Sequence, residues 1–73
     1  MWQNTDPREA FNENTQLVIA DHSTENFRVW HAALLRESNS VVQYYGYNDN
    51  VRNIHSGDSW PSNWYWITLP PQE

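Results

Sequence analysis

The stretch Thr24-Glu25-Asn26-Phe27-Arg28-Val29-Trp30-His31-Ala32-Ala33-Leu34-Leu35-Arg36-Glu37 decides the fold, because it admits two periods. Phe27, Trp30, His31 and Leu34 follow helical spacing, whereas Phe27, Val29, His31, Ala33 and Leu35 alternate as in a strand. Helix is favoured by a Ser23 or Thr24 cap and by the good helix formers from Ala32 to Glu37. Strand is favoured by Phe27-Arg28-Val29-Trp30 directly after the polar loop Ser23-Thr24-Glu25-Asn26, which would close a hairpin on a preceding strand. Periodicity alone leaves both readings open.

The flanking segments are less ambiguous. Leu17-Val18-Ile19-Ala20-Asp21 is a short apolar, partly β-branched run between polar residues, which predicts a buried strand. Ser38-Asn39-Ser40 is turn-like, and Val41-Val42-Gln43-Tyr44-Tyr45-Gly46-Tyr47 predicts a strand, expected to be central. Trp64-Tyr65-Trp66-Ile67-Thr68-Leu69 is the strongest strand, with Trp64 and Trp66 on one face, Tyr65, Ile67 and Leu69 on the other, and Pro70-Pro71 ending it. Near the start, Asp6 as N-cap and Pro7 at the first helical position predict a short helix ending by Asn12 to Asn14. Asn53 to Asn63, with Gly57 and Pro61, reads as an exposed loop holding one buried-looking Trp60.

A chain of 73 residues supports one domain, spanning 1–73, and its core must be small. With no cysteine there is no disulfide and no thiolate metal site. Five Trp, four Tyr and two Phe therefore carry the burden of the core, and stability should concentrate in the tryptophans. The formal charge of −5 rests on nine acids against four arginines and no lysine, so the chain lacks a cationic surface to neutralise phosphates. Direct nucleic-acid binding is accordingly not expected. Apolar runs fall short of the ~18 residues that span a bilayer, and Met1-Trp2-Gln3-Asn4-Thr5-Asp6 has no basic region before a greasy core. The expectation is a cytoplasmic protein, with no membrane partner.

The residues with reactive or metal-ligating side chains do not assemble in sequence. His22, His31 and His55 show no metal-ligand spacing, so neither metal nor cofactor is expected. His55-Ser56-Gly57-Asp58-Ser59 contains a serine, a histidine and an acid, yet consecutive loop residues do not hold a hydrolytic triad with its oxyanion hole. A turn held by Asp and Ser side chains is the simpler reading. Gly46 and Gly57 build no phosphate loop, and Glu9 and Glu13, one turn apart on a short helix, have no cleft to separate their pKa values. An enzyme is not expected. Aromatics on a sheet face, Tyr45, Tyr47, Trp64 and Trp66, would serve core packing, base stacking or a protein interface. Trp and Arg enrichment at interface hot spots singles out Trp60, Trp64, Tyr47 and Arg52 as candidate protein-binding residues.

Trp2, the strand Val18-Ile19-Ala20-Asp21 and the ending Trp66-Ile67-Thr68-Leu69-Pro70-Pro71 resemble a family of small phage and prophage domains of unknown function that end in Trp-x-x-Leu-Pro-x-Pro. Gln72 departs from that pattern, which has proline there. The resemblance implies a small antiparallel sheet, which turns residues 27–36 toward strand. The expected class is α+β, mainly β: an antiparallel sheet of about four strands with at most one helix. In size, acidity and lack of a catalytic set the chain is also similar in type to early phage proteins that redirect a host machine, among them RNA polymerase-binding transcription regulators of Xanthomonas phages. That likeness implies an interaction protein that inhibits or redirects host transcription. The alternatives are an inhibitor of a bacterial immunity nuclease, acting through its acidic face as an anti-CRISPR or DNA mimic, and a single-stranded nucleic-acid binder.

Overall fold

The computed structural model of the chain describes residues 1–22, 27–43 and 52–69. Its framework is one four-stranded antiparallel sheet built from β1 (Thr15–Asp21), β2 (Arg28–Leu35), β3 (Ser40–Gln43) and β4 (Trp64–Thr68), in the order β3-β2-β1-β4. The ambiguous stretch is strand. β2 pairs with β1 along its length, from Thr15 opposite Leu34 to Asp21 opposite Arg28. That register puts Leu17, Ile19, Trp30, Ala32 and Leu34 on one face, where all five are buried. A helix over the same residues would bury Trp30, His31 and Leu34 instead and leave β1 without its longest pairing.

Register carries the same face through the outer strands. Val41 lies opposite Leu34, and Trp66 and Trp64 lie opposite Ile19 and Asp21, so the inner face is a continuous apolar layer. Each large side chain buried there contributes about 1.5–3 kcal/mol. Aromatic edges lock the layer: Trp30 meets Trp64 edge to face at 4.8 Å, and Phe11 meets Trp66 at 5.4 Å. The Trp66 indole N–H donates to the Thr5 carbonyl at 2.7 Å, which removes the polar cost of burying that ring.

The expectation of a central third strand is corrected. Among the four strands β3 pairs with β2 alone and stands at the sheet edge, while β1 and β2 occupy the centre. β1 holds this place because both of its edges are paired over most of its length, to β2 and to β4. The tyrosine-rich continuation Tyr44 to Tyr47 lies outside the described residues. Both sheet edges are covered. Gln3 exchanges backbone hydrogen bonds with Trp66, each 2.8 Å, and Ile54 does the same with Val41, also 2.8 Å each. Single bridges of this kind block edge-to-edge pairing with another chain.

The predicted first helix shrinks to one 3₁₀ turn, Pro7–Glu9. Asp6 caps it as expected, its carboxylate accepting from the Arg8 amide. The turn does not continue, because the carbonyls of Arg8 and Phe11 accept from the Arg36 guanidinium at 2.7 and 2.9 Å. Those acceptors are thereby withdrawn from helical hydrogen bonding, and the pairing of Glu9 with Glu13 along a helix does not arise.

The segment Asn53 to Asn63 is also more than an exposed loop. Ile54 is 0% exposed and belongs to the core cluster, and half-buried Trp60 packs against that cluster. Among the described residues, Ile54 and Trp60 of this segment, with Thr5 and Phe11 of the N-terminal segment, lie against the inner face. Ile54→Ala should therefore cost about 2–4 kcal/mol in urea-induced unfolding, the price of a core truncation. Ser56→Ala, at an exposed position of the same segment, should stay within about 0.5 kcal/mol of the parent.

Candidate functional site

Three of the four residues singled out in the sequence converge at one end of the sheet. Trp64, at the start of β4, points inward and is 6% exposed. Trp60 stands on it edge to face at 5.4 Å, and the Trp60 indole N–H donates to the Trp64 carbonyl at 3.1 Å. The exposed Arg52 lays its guanidinium over the Trp64 ring, 5.7 Å from the centroid, within the range of a cation–π contact. Tyr47, the fourth, lies outside the described residues. Trp64 thus has little surface of its own and acts as the platform on which Arg52 and Trp60 are displayed.

The other arginines explain why Arg52 stands out. Arg8 is committed inside the fold: its side chain is 8% exposed and pairs with Asp6 through Nη2 at 2.8 Å and Nε at 3.0 Å. Its remaining N–H groups donate to the carbonyls of His55 at 3.1 Å and Asp58 at 2.6 Å. Arg36 is committed likewise, to Arg8, Phe11 and the Asn39 side chain. Arg28 also has an interaction partner. A planar five-donor guanidinium suits this bridging of carbonyls, which an ammonium would do less well, so the preference for arginine over lysine has a local reason at Arg8 and Arg36.

The segment His55-Ser56-Gly57-Asp58 forms a turn with Gly57 at φ +99°. The Asp58 carboxylate accepts from the His55 amide at 2.9 Å, and the Asp58 amide donates to the His55 carbonyl at 2.9 Å. Asp58 is occupied in holding the turn whose carbonyls Arg8 grips. Among the described residues no group of three or more His, Cys, Asp or Glu is placed to hold a metal ion. No helix among them is long and apolar enough to cross a membrane. Trp64 and Trp66, each 6% exposed, leave almost no ring face on which a nucleic-acid base would stack.

A second surface was not singled out in the sequence. On the outer face of the sheet, Trp2, Ala20, His22, Phe27, Val29 and Tyr65 line an apolar cleft of ≈ 410 Å³. Trp2, Phe27 and Val29 are 46%, 57% and 44% exposed. The His22 ring meets Phe27 at 5.0 Å and Tyr65 at 4.8 Å, both edge to face. The signal for it was the alternation of β2, which places Phe27, Val29 and His31 opposite the buried set.

No family model matches the chain, and comparison with curated proteins and with solved structures found no match either.

The Asp6–Arg8 pair makes a pH prediction. Partial burial alone would raise the Asp6 carboxyl, but hydrogen bonds from the Arg8 side chain and backbone, with the charges of Arg8 and Arg36, outweigh it and hold the group below its ordinary value. The hydrogen bond to Asp6 in turn raises Arg8. A carboxyl depressed in the folded state stabilises the fold above its unfolded pKa of about 3.9, and the contribution vanishes as pH falls through the lower folded value. The stability advantage of the parent over Asp6→Asn should be constant near neutrality and shrink below about pH 4, measured by denaturant unfolding at a series of pH values.

Proposed function

We propose that this domain is a non-enzymatic regulator of phage type, which docks on a host protein in the bacterial cytoplasm and thereby inhibits or redirects transcription. The proposed partner is RNA polymerase, and that choice rests on the likeness in size, acidity and missing catalytic set to phage transcription regulators. The observation that supports docking is the convergence of Arg52, Trp60 and Trp64. An exposed guanidinium held on an indole, with a second indole beside it, is pre-organised, so little side-chain entropy is lost on binding. Trp and Arg in such an arrangement are the residue types that dominate measured interface energies. The acidic balance of the chain would steer it toward basic surfaces and raise the rate of encounter.

Capture from bacterial lysate on the immobilised domain, followed by mass spectrometry, tests both parts of the reading. RNA polymerase subunits should be retained by the parent and reduced about 30-fold or more by Arg52→Glu and by Trp60→Ala, the loss expected for a hot spot of about 2 kcal/mol. Arg52→Glu is the safer variant for folding because Arg52 is exposed, whereas Trp60 also packs on the core. Recovery of a nuclease in place of polymerase would give the function to the inhibitor reading. Retention of polymerase by both variants would move the interface away from this corner.

A further inference from the structure

We infer that the outer face of the sheet is a self-association surface, taken by a second copy of this chain. Four observations lead there. The first is charge. The outward side chains of the four strands are Gln16, Val18, Ala20, Val29, His31, Ala33, Leu35, Ser40, Val42, Tyr65 and Ile67, with no Asp, Glu or Arg among them. In a chain of net charge −5, two copies that met elsewhere would confront like charges. On this face the described strand residues bring no like charges together.

The second is shape. The cleft over Ala20, of ≈ 410 Å³, has Phe27 as one wall, and that ring is 57% exposed. A two-fold axis through the face sets Phe27 of each copy into the cleft of the other, the reciprocal contact an isologous interface requires. Among the described residues, the polar side chains around the cleft are His22, Tyr65 and the Trp2 indole, too few convergent groups to fix a small polar ligand. The third is the sheet edges. With Gln3 on β4 and Ile54 on β3, edge-to-edge pairing is blocked at both ends, which leaves the face as the route for association.

The fourth is area. Trp2, Phe27 and Val29 at 46%, 57% and 44% exposure offer on the order of 300 Å² between them. The half-buried residues around them raise the patch to about 500 Å² per copy, so a dimer would bury about 1,000 Å² in total, at the low end of specific interfaces. The association is therefore weak and concentration-dependent. It is independent of the Arg52 corner, which lies on the inner side of the sheet.

Sedimentation velocity over a range from micromolar to millimolar protein tests the inference. The mass should rise from 8.7 kDa toward 17.4 kDa, twice that value, and added salt should favour the larger species by screening the net charge. Val29→Glu, which sets like charges against each other across the two-fold, and Phe27→Ala, which removes the knob, should each raise the midpoint concentration more than tenfold while near-ultraviolet circular dichroism stays native. Arg52→Glu should leave the mass unchanged, so failure here and failure of the polymerase reading remain separate. A mass of 8.7 kDa at millimolar concentration, or dimerisation untouched by both outer-face variants, would overturn the inference. A monomer whose capture of a host protein is lost on Phe27→Ala would also overturn it, giving the face to that protein.

Discussion

A sheet of four short strands must be covered on at least one face, and among the described residues loops and one 3₁₀ turn do it. The Arg8 side chain is the interaction that makes those loops a layer. From one nearly buried guanidinium, hydrogen bonds reach Asp6 in the N-terminal segment and the carbonyls of His55 and Asp58 in the segment before β4. Both carbonyls belong to exposed residues, so what Arg8 adds there is the charge-assisted hydrogen bonds themselves, which tie the two segments together. Arg36 extends the arrangement by holding Arg8's own carbonyl and that of Phe11, and Phe11 then lies against Trp66. Polar groups thus bring the apolar loop residues Phe11, Ile54 and Trp60 onto the sheet, where burial supplies the larger share of the free energy.

This division of labour produces two unequal faces. The inner face is filled by three tryptophans, aliphatics and the loop layer. The outer face carries partly exposed valines and aromatics around the buried Ala20, and its strand residues include no Asp, Glu or Arg. Monomeric proteins seldom keep a contiguous apolar patch of that kind without a use for it. The arginine count has the same logic: two guanidiniums are absorbed in building the layer, and Arg52 is set on the indole of Trp64 at its rim. The exposed cation and the uncharged face are therefore both consequences of how the layer was made, and they lie on opposite sides of the sheet.

Much of the fold was legible in local pattern. The alternation in β4 and the apolar run of β1 identified both strands, and the Asp6-Pro7 start identified a cap that is present. The stretch over β2 was not settled by period, since Phe27 and His31 satisfy both spacings; its pairing with β1 decides it. The edge position of β3 depends on which strands find β1, a nonlocal matter that composition does not encode. Ile54 was lost among serines and asparagines because a single apolar residue in a polar segment has no periodicity. The convergence of Trp60, Trp64 and Arg52 was suggested by residue type alone, whereas the Trp2, Phe27 and Val29 surface needed the pairing of β2 with β1 and of Gln3 with β4, which brings two separate segments to one side.

The central claim is that Arg8 holds the loop layer on the sheet, and amide hydrogen exchange in an Arg8→Met variant tests it most directly. The account predicts that the amides of Ile54, Asp58 and Gln3 lose protection by about tenfold or more relative to those of the β1–β2 ladder, which open only with global unfolding. Equal loss of protection across loop and ladder amides, or no loss at Ile54 and Asp58, would contradict it.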